Sequence, residues 1–156
     1  MSKLERYEQA VAASAESVGL RPEDPQAWYD RGIALGNINR DEQALECFDR
    51  AIQLRRDYSE AWNKKGVALD KLDRLDEGLR CFEEALRLRT NFPDAWDNKG
   101  VVLGNLGRDE EALRCFEEAI RLDPNFAPAW YHKGLALGKL GRDEEATAAF
   151  DEGFKH

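Results

Sequence analysis

The chain has 156 residues, 42% apolar and 35% charged, a length that predicts about one domain. Its 23 basic and 31 acidic residues give a net charge of −8, which argues against nucleic-acid binding and against a polybasic membrane surface. No stretch approaches the ~18 apolar residues of a membrane-spanning helix, and Met1-Ser2-Lys3-Leu4-Glu5-Arg6-Tyr7 carries no apolar run after its charges, so no secretory signal and a cytoplasmic location are expected.

Self-similarity dominates the chain. Trp28, Trp62, Trp96 and Trp130 follow one another at 34 residues. Gly32, Gly66, Gly100 and Gly134 keep that period, as do Leu35, Leu69, Leu103 and Leu137, and Phe48, Phe82, Phe116 and Phe150. The three cysteines obey it too, at Cys47, Cys81 and Cys115, with Ala149 in the fourth slot. A fixed period of this length is the mark of a repeat architecture.

Within each period the apolar residues recur at helical spacing and never alternate by two. Trp62, Val67, Ala68, Leu69 and Leu72 make one such face, and Ala112, Leu113, Phe116, Ala119, Ile120 and Leu122 make another. Short breaks separate the paired helices at Asn39-Arg40-Asp41, Asp73-Arg74-Leu75, Gly107-Arg108-Asp109 and Gly141-Arg142-Asp143. Asp41, Asp109 and Asp143 are expected to cap the second helix, with glutamates following in its first turn. All five prolines fall at or beside expected helix ends. One helix pair cannot bury its own apolar face, so the pairs are expected to stack as a solenoid. The glycine after each Trp removes a Cβ where two helices are expected to cross closely.

Trp-x3-Gly, an Ala sixteen after the Trp (Ala44, Ala112, Ala146), Phe four later and Ala three after that (Ala51, Ala85, Ala119) closely resemble the tetratricopeptide repeat. The resemblance covers nearly the whole chain. It implies a single all-α domain over 1–156 of nine helices in a right-handed superhelix. Residues 3–24 form an N-terminal half-repeat, 25–58, 59–92 and 93–126 full repeats, and 127–156 a truncated fourth. The chain departs from the family in a basic row three after each Trp (Arg31, Lys65, Lys99, Lys133), expected to pack its stems and send charge to water.

The resemblance also implies a function: non-catalytic capture of a partner's peptide or helix in a concave groove lined by the first helix of each pair. The family's inward slots fall here on Tyr29, Asp30, Ile33 and Asn37, then Asn63, Lys64, Val67 and Lys71, in the first two repeats. In the next two they fall on Asp94, Asp97, Asn98, Val101 and Asn105, then Tyr131, His132, Leu135 and Lys139. Among the inward slots five acids (Asp30, Glu60, Asp70, Asp94, Asp97) face three lysines (Lys64, Lys71, Lys139), so a protein partner with basic residues is expected. The clamp that some family members place on acidic chaperone tails does not fit: from Trp62 its slots read Asn63, Val67, Asn98, Pro128 and His132, and only Asn98 agrees.

No other chemistry is expected. Cysteines one repeat apart lie beyond the ~7 Å disulfide span, and zinc spacing is absent, so the thiols are read as packing and no metal or cofactor is expected. No nucleophile elbow or phosphate loop occurs, so no enzyme is expected. The alternative function is end-to-end self-assembly, a homo-oligomer through the end faces, with Phe154 in the slot of Ile52, Leu86 and Ile120 and expected to be uncovered.

Overall fold

Glycine and phenylalanine at fixed positions decide how each helix pair closes. In the computed structural model, which describes residues 1–156, a Cβ built on Gly32 would stand 2.5 Å from the Phe48 ring. The same collision recurs at Gly66 with Phe82 (2.6 Å), Gly100 with Phe116 (2.4 Å) and Gly134 with Phe150 (2.5 Å). Only a bare Cα lets the ring lie flat against the neighbouring helix, so the expected close crossing is present in every repeat.

Nine helices and no strands result. They are α1 Lys3–Leu20, α2 Pro25–Asn37, α3 Asp41–Leu54, α4 Ser59–Lys71, α5 Leu75–Leu88, α6 Pro93–Asn105, α7 Asp109–Leu122, α8 Ala127–Lys139 and α9 Asp143–Phe154. They gather into two compact units, Met1–Leu88 with α1 to α5 and Arg89–His156 with α6 to α9. In the first unit α2 pairs with α3 and α4 with α5, while α1 packs on α2 as α3 packs on α4. α1 thus holds, against α2, the place that α3 holds against α4. In the second unit α6 pairs with α7 and α8 with α9, and α8 packs on both α7 and α6. None of the helices is long and apolar enough to cross a membrane.

The first unit buries Leu35, Ala44, Leu45, Cys47, Phe48, Ala68 and Leu69 in one cluster, flanked by half-buried Trp28 and Trp62. The second buries Val102, Leu103, Ala112, Leu113, Phe116 and Leu137. Each Trp also fixes the loop before its helix. The indole Nε1 of Trp28, Trp62, Trp96 and Trp130 donates to the carbonyl six residues earlier, at Pro22, Arg56, Thr90 and Pro124, over 2.8–3.1 Å.

The turn inside each pair ends its first helix in a left-handed residue: Asn39 (φ 59°), Asp73 (φ 59°), Gly107 (φ 76°) and Gly141 (φ 73°). The next amide reaches back to Leu35, Leu69, Leu103 or Leu137, closing a Schellman motif each time. The expected aspartate caps are corrected here. Arg40, Arg108 and Arg142 occupy the N-cap position of α3, α7 and α9, and Asp41, Asp109 and Asp143 are already the first helical residue. Arg74, Arg108 and Arg142 instead grip Glu77, Glu111 and Glu145 in the first turn with two hydrogen bonds each. Phe154 is 88% exposed, as expected.

The basic row is more occupied than expected. Lys65, Lys99 and Lys133 lie over Trp62, Trp96 and Trp130, with each ammonium 5.3–5.7 Å from the ring centroid. Lys65 Nζ also meets Asp49 at 2.7 Å, and Lys133 Nζ meets Glu117 at 3.4 Å. Arg31 fills the same slot in α2, but the residue sixteen earlier is Ala15, and Arg31 Nη1 is buried with no hydrogen bond. α1 lacks the acid that α3 and α7 supply at Asp49 and Glu117.

Gly100→Ala drives a methyl into Phe116 and is expected to lower stability by ~1–3 kcal/mol in denaturant titrations. Gly104→Ala, four residues on, meets nothing within 4 Å and is expected to stabilise by ~0.5–1 kcal/mol. Ala15→Glu gives Arg31 a partner and is expected to raise the unfolding midpoint, by ~1 kcal/mol. Loss of stability on Ala15→Glu contradicts the account of the Arg31 site.

Candidate functional site

The first helix of each pair turns a mixed row of side chains away from its partner helix. In the first unit that row comes from α2 and α4. Ile33, Val67 and Lys64 are half-buried; Asp30, Asn37 and Lys71 are exposed. Together with Gly36, Ala44, Phe48 and Asp41, all of these but Asp30 surround an indentation of about 90 Å³ between α2, α3 and α4. The indentation exists because Gly36 adds no side chain and nothing lies within 4 Å of where its Cβ would be. Lys71 Nζ lies 3.6 Å from Asp41 Oδ1 at its edge.

Tyr29 has a different setting. Its ring lies 5.1 Å from Tyr58 and 6.0 Å from Phe48, and the Tyr58 hydroxyl donates to Gln26 Oε1 over 2.8 Å. Burial, with Glu60 and Asp30 nearby, pushes the Tyr29 phenol above its ordinary value, and burial takes Tyr58 up to about 12. Gln26 also donates to Asp30 over 2.9 Å, so this corner is a built side-chain network. Asn63 is only 4% exposed, which withdraws it from the surface.

The second unit repeats the arrangement on α6, α7 and α8. Val101, Asn105, Leu135, Lys139 and His132, with Gly104, Asp109, Ala112 and Phe116, surround a second indentation of about 90 Å³. Leu135 is 43% and Tyr131 54% exposed, high values for large apolar surfaces. Asp94 is exposed and Asn98 half-buried. Asp97 is buried, and its carboxylate accepts a 2.8 Å hydrogen bond from His132 Nδ1. The His132 ring lies 5.5 Å from Phe116 and 5.6 Å from Tyr131. The pair joins α6 to α8, so Asp97 holds the scaffold and orients His132.

The sequence-expected slots thus divide. Ile33, Asn37, Lys64, Val67 and Lys71 meet around one indentation; Val101, Asn105, His132, Leu135 and Lys139 meet around the other. Asp30, Asp94 and Tyr131 stand on the open surface, while Asn63 and Asp97 are buried and Tyr29 and Asn98 half-buried. Sequence reasoning missed Asp41 and Asp109, which it assigned to helix capping. One signal was available: Asp41 precedes Lys71, and Asp109 precedes Lys139, by the same 30 residues.

The cysteines form no competing site. Cys47, Cys81 and Cys115 are free and buried. Burial raises the Cys47 thiol and takes Cys81 and Cys115 up to about 11. No cluster of His, Cys, Asp and Glu arranged for a metal is present.

Family models described as tetratricopeptide repeat match residues 25–58 and 59–92, and a model described as TPR repeat matches 105–141. Among solved structures, the crystal structure of MamA superposes with a TM-score of 0.83 at 23% identity, covering 96% of this chain and 87% of that one. MamA 41-end from Desulfovibrio magneticus RS-1 gives a TM-score of 0.83 at 23% identity, over 97% and 87%. YrrB, described as a TPR protein with an unusual peptide-binding site, gives 0.75 at 24% identity, over 97% and 78%. At these identities the likeness is one of fold. A comparison with curated proteins returned no match.

Two consequences of thiol burial are measurable. At pH 8 the native chain is expected to react with iodoacetamide about a hundredfold more slowly than the chain in guanidinium chloride. Between pH 9 and 11 the unfolded state releases thiol protons that the native state keeps. Their contribution to stability is therefore complete below pH 9 and is lost as pH rises through 11, giving an unfolding midpoint that falls across that window. Fast native labelling at pH 8 contradicts the burial assignment.

Proposed function

Because the chain belongs to the tetratricopeptide-repeat family, we propose that residues 1–156 act as one non-catalytic binding domain that holds a segment of a partner protein along its inner helix faces. One observation carries the reading. The framework slots repeat almost unchanged, whereas the inward face sets aliphatic side chains (Ile33, Val67, Val101, Leu135) beside polar ones that vary between repeats, most of all two after the Trp (Asp30, Lys64, Asn98, His132). A scaffold needs the first property and a selective surface the second. Exposed Leu135 and Tyr131 offer apolar contact area, and Tyr131 adds a polar tip.

The peptide-binding site named for YrrB supports the same use of the fold. The excess of acids among the inward slots favours a partner segment with basic residues and disfavours nucleic acid. No step of bond chemistry, no cofactor and no membrane is assigned to the chain, and its place of action is the cytoplasm. The partner acts as the specific element; the chain is an adaptor or assembly factor.

The second reading, stacking of copies end to end, is favoured by one observation, the 88% exposure of Phe154.

A lysate pull-down on immobilised protein tests the first reading. Tyr131→Ala with Leu135→Glu changes two exposed side chains, so the helical circular dichroism is expected to stay intact while partner recovery falls about tenfold or more. Equal recovery by both proteins overturns the groove. Asp97→Lys is unsuitable for this purpose because it breaks the buried pair with His132. For the stacking reading, Phe154→Glu is expected to abolish a concentration-dependent oligomer in sedimentation velocity. A monomer at high concentration removes that reading.

A further inference from the structure

The two indentations occupy equivalent places in the sequence, 68 residues apart, yet they are not in the same state. In the first unit the edge carboxylate of Asp41 holds the ammonium of Lys71 at 3.6 Å. In the second, Asp109 takes the place of Asp41 and Lys139 that of Lys71. There Asp109 Oδ1 is buried and bonded to nothing, Lys139 included. A carboxylate oxygen removed from water without a donor is costly, so the site is short of one hydrogen-bond donor.

We propose that the indentation between α6, α7 and α8 receives a lysine side chain of the bound segment, with its ammonium on Asp109 and its stem against Val101 and Leu135; the proposal rests on the groove reading above. Three features select this group. Val101, Ala112, Phe116, Leu135 and Ala136 give the indentation an apolar side that suits an alkyl stem, with Asn105, His132 and Lys139 as its polar part. The volume of about 90 Å³ is on the scale of a single side chain. A single unsatisfied oxygen suits a point donor, whereas the guanidinium of arginine is matched to two parallel acceptors. The first unit supplies the precedent: the equivalent carboxylate already takes a lysine ammonium, from the chain itself. On this reading Lys71 closes the first indentation and leaves the second as the open one.

The second repeat fits the same logic. It carries Leu75 where Asp41 and Asp109 stand, and Asp70 where Gly36 and Gly104 leave room. The second repeat thus carries neither the acid nor the bare glycine at these slots.

The test uses the full chain, labelled with nitrogen-15, and n-butylammonium as the probe, with n-butanol as its uncharged counterpart. Expected are saturable amide shifts at Val101, Asn105, Asp109 and Leu135 with butylammonium and weak or absent shifts with butanol. Asp109→Asn is expected to weaken the response about tenfold or more. The first unit supplies a control. It is expected to be silent in the wild type and to respond, around Asp41, in Lys71→Met. Absence of a saturable response in the wild type, an equal response in Asp109→Asn, or a first-unit response as strong in the wild type as in Lys71→Met overturns the proposal. A partner that Asp109→Asn still captures, and that Tyr131→Ala with Leu135→Glu loses, overturns the lysine assignment alone and leaves the groove standing.

Discussion

The contact on which the rest depends is the phenylalanine ring laid against a glycine. Each Cβ that is absent from Gly32, Gly66, Gly100 or Gly134 would lie 2.4–2.6 Å from the ring it faces. Two helices that approach this closely bury the leucine three residues on, and Leu35, Leu69, Leu103 and Leu137 are all 1–2% exposed. The pairs then share one geometry, and one geometry is what lets the pairs within each unit stack alike. Interiors packed at crystal density tolerate little variation, so the same three residue types return at the same places in all four pairs.

The turns inside the helix pairs are held by backbone rather than by side-chain caps. A left-handed residue and a Schellman pair of hydrogen bonds end the first helix of each repeat, and the Trp indole ties down the loop that precedes it. With both loops fixed by groups that face the framework, the inward slots carry no structural duty of that kind. They are free to vary, except where a polar residue is taken into the scaffold. Asp97 is such a case, and its bond to His132 converts an expected ligand contact into a strut between α6 and α8.

Electrostatics follows the same division. Outward charges pair locally, as in Arg74 with Glu77 or Lys65 with Asp49. Exposed pairs of that kind contribute little each, since water and salt screen them. The inward acids Asp41 and Asp109 sit where water is partly excluded, and there the presence or absence of one ammonium matters more. Asp41 is paired and Asp109 Oδ1 is not, an asymmetry between two places that correspond in the sequence.

The 34-residue period, the helix pairs and the glycine crossings were all legible in the sequence, because each depends on residue type at a fixed spacing within one pair. The inward slots were legible as positions, through the resemblance of the repeat. Their roles were not, since burial depends on neighbours that spacing does not reveal. Asn63 and Asp97 read as polar contacts and are buried; Asp41 and Asp109 read as caps and border indentations. Arg31 read like its lysine counterparts, and only the packing of α1 on α2 revealed that Ala15 leaves it without their acid. A local pattern determines which helix forms and which face is apolar. Which polar atoms then find partners is decided between helices, and so only by the tertiary structure.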